Sequence, residues 1–125
     1  MKQIINSSKA PAPIGPYSQS VKANGFLFVS GQIPLDPVSG QLVEGSIAEE
    51  TLQVMKNLEA ILLEAATSWD NVVKCSIFIK NMDDFSAINE VYGKHFTQNP
   101  PARETVEVSQ LPKGVRVEIS LIAIA

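Results

Sequence analysis

The sequence predicts an α+β domain with a mixed β-sheet and two helices packed on one of its faces. Two segments carry helical periodicity, five segments carry strand alternation or β-branched runs, and they follow one another as strands, helix, strand, helix, strands. Two helices need an apolar surface to cover, and one sheet face is the simplest surface that serves both.

Residues 7–16, SSKAPAPIGP, hold three of the eight prolines and predict an extended surface strap. SQSVKANGFLFVSG then reads as two short strands around Asn24-Gly25, the dipeptide that tolerates positive φ in a tight hairpin turn. PLDPVSGQLVEG, dense in Pro, Gly and Asp, reads as turns. Ser46 stands three residues before Glu49, a capping-box signature. It opens the longest periodic segment, with Ile47, Thr51, Val54, Leu58, Ile61, Leu62 and Ala65 on the apolar side. Glu50, Gln53, Lys56, Asn57 and Glu64 are expected to face solvent.

From Asn71 to Lys80 the pattern becomes β-branched alternation, with Val73, Cys75, Ile77 and Ile79 on the inner face and Lys74, Ser76, Phe78 and Lys80 on the other. Asn81 or Asp83 caps a second helix whose Phe85, Ile88, Val91, Tyr92, His95 and Phe96 share one broad side, and Asn99-Pro100-Pro101 ends it. RETVEV and VRVEISLIAIA close the chain as two strands, the second long enough to sit centrally in the sheet. Ile122, Ile124, Phe78 and Val106 or Val108 would leave the second sheet face partly apolar, which reads as an oligomer surface.

Composition agrees with one globular domain spanning 1–125: 45% of residues are hydrophobic, and Gly and Pro number only 7 and 8. Charged residues make up 18%, below the roughly 25% of an ordinary soluble domain, a deficit that fits surface covered by another subunit. The net charge of −3 supplies no basic field for a phosphate backbone, so nucleic acid is not expected as a partner. One cysteine, Cys75, cannot form an intrachain disulfide, and one histidine, His95, is far from the donor set a zinc site needs. No metal is expected, and reducing cytoplasm fits the cysteine count. No segment reads as a signal peptide or membrane span.

No GxSxG, HExxH, GxxxxGK[ST] or GxGxxG motif occurs, so candidates are weighed singly. Arg103 follows the rigid Pro100-Pro101-Ala102 and its planar fork suits a small carboxylate; otherwise it is a solvated strand-end residue or pairs with Glu104 or Glu107. Glu118 alternates with Val117 and Ile119, and such a carboxylate can orient or deprotonate a water; otherwise it pairs with Arg116. Tyr17, after a stiff Gly-Pro, either touches a ligand or caps the core. Asn89, beside the apolar side of the second helix, hydrogen-bonds a loop or a ligand. Cys75, His95 and Trp69 read as packing residues.

Three segments together, IGPYSQ at 14–19, SGQIPLDPVSGQLVEGSIAEET at 30–51, and PPARETVEV with LPKGVRVEI at 100–119, resemble the RidA/YjgF/UK114 family of small imine deaminases. NMDDFSAINEVYGKHF resembles that family's second helix, so the likeness runs through nearly the whole chain. The resemblance implies a chorismate-mutase-like (YjgF-like) fold and a homotrimeric barrel with ligand clefts between subunits. It also implies cofactor-independent hydrolysis of 2-iminobutanoate and 2-iminopropanoate, products of pyridoxal-phosphate-dependent dehydratases, to 2-ketoacids and ammonia.

By motif, the resemblance gives Arg103 the substrate carboxylate and Glu118 the attacking water. Tyr17 would line the cleft from a neighbouring chain, Gly31 and Ile33 would offer backbone groups, and Ser30 and Asn89 would shape the pocket. The Thr105 carbonyl would face the imine nitrogen or the water. The chain departs from the family pattern at Thr105, where cysteine is common, at Ser120, where a second glutamate is common, and at His95, where an aromatic is usual. A carboxylate-binding or regulatory trimer without turnover is the rival reading. Ribonuclease, translation-inhibitor and chaperone-like roles have also been attached to relatives.

Overall fold

A computed structural model describes residues 1–125. Six strands, β1 (Gln3–Ile5), β2 (Ser20–Ala23), β3 (Phe26–Gln32), β4 (Val72–Ile79), β5 (Ala102–Glu107) and β6 (Val117–Ile124), form one sheet in the order β1-β2-β3-β6-β4-β5. All pairings are antiparallel except β4 with β5. That parallel pair needs a crossover, which α2 (Phe85–Gly93) supplies, while α1 (Ile47–Glu64) connects β3 to β4.

Both helices lie on one face, as expected. Their buried residues join Leu27, Val29, Cys75, Ile77, Ile79, Val117, Ile119, Leu121 and Ala123 in a single core. The expected hairpin forms at Asn24-Gly25, where both residues take positive φ, 52° and 81°. The capping box of α1 is complete: Ser46 Oγ accepts from the Glu49 N–H at 3.1 Å, and Glu49 Oε1 accepts from the Ser46 N–H at 3.3 Å. Such a cap contributes about 1 kcal/mol. Full burial of Val54, Met55, Leu58, Ile61 and Leu62 contributes about 1.5–3 kcal/mol for each side chain, so the helix is held mainly by its packed face.

Several expectations fail for identifiable reasons. Glu50 and Asn57 are buried rather than solvated. Glu50 receives the Arg116 guanidinium, and Asn57 Nδ2 donates to the carbonyls of Ile33 and Leu35 at 3.1 and 3.0 Å. Val73 is exposed, because a register irregularity between Val72 and Lys74 turns Val72 inward in its place. Asn81 caps a 3₁₀ turn at 82–84 rather than α2 itself, and α2 stops at Gly93, leaving His95 and Phe96 beyond its end. β1 had no counterpart in the sequence reading.

The face without helices is partly apolar, with Lys74, Ser76, Glu104, Glu118 and Ser120 among its apolar side chains. Phe26, Phe28, Val106 and Ile124 are exposed there, with Phe78 and Ile122 half-buried between them. Of the two valines weighed for that face, Val106 lies on it, whereas Val108 packs beside Ile33, Leu111 and Val115.

Candidate functional site

The candidate residues fall into two groups. In the first, β3 bulges against β6: Val29 pairs with Leu121 and Gln32 with Ile119, so Ser30 and Gly31 together oppose the single residue Ser120. A bulge re-aims what it carries, and here it brings bare backbone up to Glu118. A Cβ on Gly31 would lie 2.5 Å from Glu118 Oε2, so any other residue there would push the carboxylate out of its present position.

Ser30 is tied to the strap, its Oγ donating to the Ser18 carbonyl at 2.6 Å and its N–H to the Gln19 carbonyl at 3.0 Å. Tyr17 stands half-exposed at the rim, its hydroxyl accepting from the Ile14 N–H at 3.3 Å. The resulting cleft is lined by Ile14, Tyr17, Ser30, Gly31, Ile33, Pro112 and Glu118. Glu118 has no hydrogen-bond or ion-pair partner within the chain, since Arg116 turns to Glu50 instead. Burial pushes its carboxyl above the usual carboxylate range.

In the second group, Arg103 Nη1 donates to Asn89 Oδ1 at 2.7 Å. The alternative partners of Arg103 are engaged elsewhere: Glu104 binds Lys74 and Ser76, and Glu107 Oε1 accepts from the Met82 N–H at 2.8 Å. Thr105 follows Arg103 on the same side of β5, and its buried hydroxyl has no partner.

The two groups do not meet. In the paired register Arg103 aligns with Cys75 and Thr105 with Ile77, on the helix side, while Glu118 aligns with Phe78, on the open side. Tyr17, Ser30, Gly31, Ile33 and Glu118 are brought together, and Asn89, Arg103 and Thr105 are brought together, as two separate clusters of one chain.

Cys75 is fully buried core, its thiol pushed up by desolvation. Trp69 packs on His95 and Phe96, and His95 Nδ1 lies 3.1 Å from the Val91 carbonyl, so both are structural. No three His, Cys, Asp or Glu side chains converge as a metal-holding group.

Two supporting residues escaped the sequence reading. Gln19 is buried and clamps the strap, its Oε1 accepting from the Ser7 N–H at 2.6 Å and its Nε2 donating to the carbonyls of Ser7 and Pro11 at 3.2 and 3.0 Å. Asn57 fixes the backbone of Ile33 and Leu35 from α1. Neither carries a local signal, because each is defined by distant carbonyls.

A family model described as Endoribonuclease L-PSP matches residues 7–125. A RutC family protein of Pyrococcus horikoshii is 50% identical over 123 residues, covering 98% of each chain. The chain belongs to the RidA/YjgF/UK114 family. A further relative, the human 2-iminobutanoate/2-iminopropanoate deaminase, is 45% identical over 124 residues, covering 99% of this chain and 90% of the human one. Among solved structures, the Rid-family protein YyfA of Yersinia pestis matches with a TM-score of 0.98 at 49% identity over the whole of both chains. TdcF of E. coli, solved with bound serine, matches at 0.92 and 36% identity over 98% of each. The mixed six-stranded sheet with two helices is thus the architecture of solved Rid-family proteins. No helix is long and apolar enough to cross a membrane.

Proposed function

We propose that this RidA-family protein is a cofactor-independent cytoplasmic deaminase that hydrolyses 2-iminobutanoate and 2-iminopropanoate to 2-ketoacids and ammonia. In this reading the single domain 1–125 assembles as a homotrimer, and each cleft joins the Arg103 half-site of one chain to the Glu118 half-site of its neighbour. The observation that carries the reading is Glu118: an unpaired, half-buried carboxylate with a raised pKa, facing a cleft and lying directly against the bare backbone of Gly31. Such a group is what general-base chemistry on water requires.

Arg103 takes the substrate carboxylate in two parallel N–H···O bonds, while Asn89 holds the guanidinium from behind. Tyr17, Ser30 and the backbone of Gly31 and Ile33 shape the opposite wall. Glu118 orients a water and accepts its proton as the oxygen bonds to the imine carbon; the C=N electron pair moves to nitrogen, which takes up a proton. The Thr105 carbonyl faces that nitrogen or the water. In the collapse of the carbinolamine, protonated Glu118 returns its proton toward the amine nitrogen, directly or through water, as the C–N bond breaks, and the hydroxyl proton is lost to solvent as C=O forms, so that ammonia and the ketoacid leave and the carboxylate is restored. An imine already hydrolyses in water, so orientation and one delivered water are sufficient catalysis. The partly apolar open face supports trimerisation, and the name of the human relative supports the substrate class.

The test is imine decay after a serine or threonine dehydratase is added. Wild-type protein accelerates the decay, and Arg103→Ala and Glu118→Ala both abolish the acceleration; a rate unchanged by Arg103→Ala sinks the mechanism. The serine carried by TdcF favours one rival, a small-carboxylate binding trimer without turnover. Wild-type protein that binds 2-ketobutyrate without hastening imine decay would establish that rival.

A further inference from the structure

Phe85, Asn89 and Tyr92 stand one and two turns apart on α2, so their side chains share one side of the helix. All three converge on the end of Arg103. The guanidinium carbon is 5.0 Å from the centre of the Tyr92 ring and 5.7 Å from that of Phe85, within the roughly 6 Å over which a ring face attracts a cation. Asn89 takes one of its N–H donors at 2.7 Å. No acidic side chain is paired with it.

We propose that Phe85 and Tyr92 are positioning residues, a two-ring platform that together with Asn89 fixes the plane of the Arg103 guanidinium so that its free edge meets a flat 2-oxo or 2-imino carboxylate. The inference rests on the carboxylate-clamp role proposed above for Arg103. An arginine on an edge strand otherwise samples many rotamers, and ordering it would weaken each binding event. Ring faces restrict it to one plane without occupying its donors, which a carboxylate partner would do. The Tyr92 ring is itself fixed: it is buried and packs on Phe96 with centroids 4.8 Å apart. Its hydroxyl lies against the Cys75 thiol with no oxygen or nitrogen partner, so the ring rather than the hydroxyl is the working part.

The experiment measures the Kd for 2-ketobutyrate by calorimetry, together with the Arg103 guanidinium NMR signals of ligand-free protein labelled at arginine nitrogen. Phe85→Leu is expected to raise Kd about ten-fold and to average Arg103 signals that are resolved in the wild type, with KM rising more than kcat falls. Tyr92→Leu does the same, and Tyr92→Phe stays within about two-fold of wild type because the ring face remains. Phe85 is half-buried, so its variant decides the question if Tyr92→Leu fails to fold. An unchanged Kd or unchanged Arg103 signals in Phe85→Leu overturn the platform, as does equal weakening by Tyr92→Phe and Tyr92→Leu. Arg103→Ala separates the two levels: if it binds 2-ketobutyrate as wild type does, the clamp itself is wrong; if it loses binding while Phe85→Leu keeps it, only the platform is.

Discussion

Arg103 and Glu118 sit on opposite faces of one sheet, Arg103 beneath α2 beside Cys75 and Glu118 on the helix-free side beside Phe78. No rotamer change brings a guanidinium and a carboxylate together through a packed layer. A site that uses both must borrow one of them from a second chain.

Complementation therefore tests the shared cleft. Arg103→Ala and Glu118→Ala proteins, each inactive alone, are expected to regain imine hydrolysis when denatured together and refolded as a mixture. Random assortment returns about one intact cleft in four. No recovery, or a monomer by ultracentrifugation at micromolar concentration, contradicts the inter-subunit arrangement.

Gly31→Ala places a methyl group against the Glu118 carboxylate. The fold can accommodate it by swinging that flexible side chain aside, and this is the side chain assigned to the water. Hydrolysis is expected to fall by at least about ten-fold with the fold retained, read by comparing turnover with circular dichroism.

Glu118 also sets a pH dependence. Its base form is needed, so activity is present above its raised pKa and falls as pH drops through a value above the ordinary carboxylate range. Stability runs the other way. A carboxyl whose folded pKa exceeds its unfolded one favours the folded state most at low pH, and that contribution is lost as pH rises through the folded value. Glu118→Gln is thus expected to be inactive yet to melt above wild type at pH 7, with the gap closing below the ordinary glutamate range. A melting difference that widens on acidification would refute this.

Asn57 is fully buried and satisfies two carbonyls from one amide. Asn57→Ala leaves the Leu35 carbonyl without a partner and the Ile33 carbonyl with only the Leu35 N–H, and is expected to lower stability by about 1–3 kcal/mol in urea denaturation. Because Ile33 is one of those carbonyls, ligand affinity should fall with it.

What was legible in the sequence was whatever local chemistry dictates. Ser46 and Glu49 announce the start of α1, Asn24-Gly25 announces the hairpin, and the β-branched alternation announces β4 and β6. The errors at Glu50 and Asn57 share one cause: helical periodicity assigns them to the polar side, but their partners, Arg116 and the Ile33 and Leu35 carbonyls, arrive from 66, 24 and 22 residues away. Val73 fails because a register irregularity shifts the alternation, and β1 because three residues carry too little pattern. The site residues were reached through motif likeness rather than periodicity. That they divide between two faces follows from strand register, which no single segment contains.

The last strand in chain order, β6, lies between β3 and β4, and no other strand bridges the β1-β2-β3 ribbon and the β4-β5 pair. During synthesis those two pieces emerge with their inner edges unpaired, and the sheet can zip shut only when residues 117–124 leave the ribosome. The interval before β6 arrives is when the edges of β3 and β4 are open to the wrong strand.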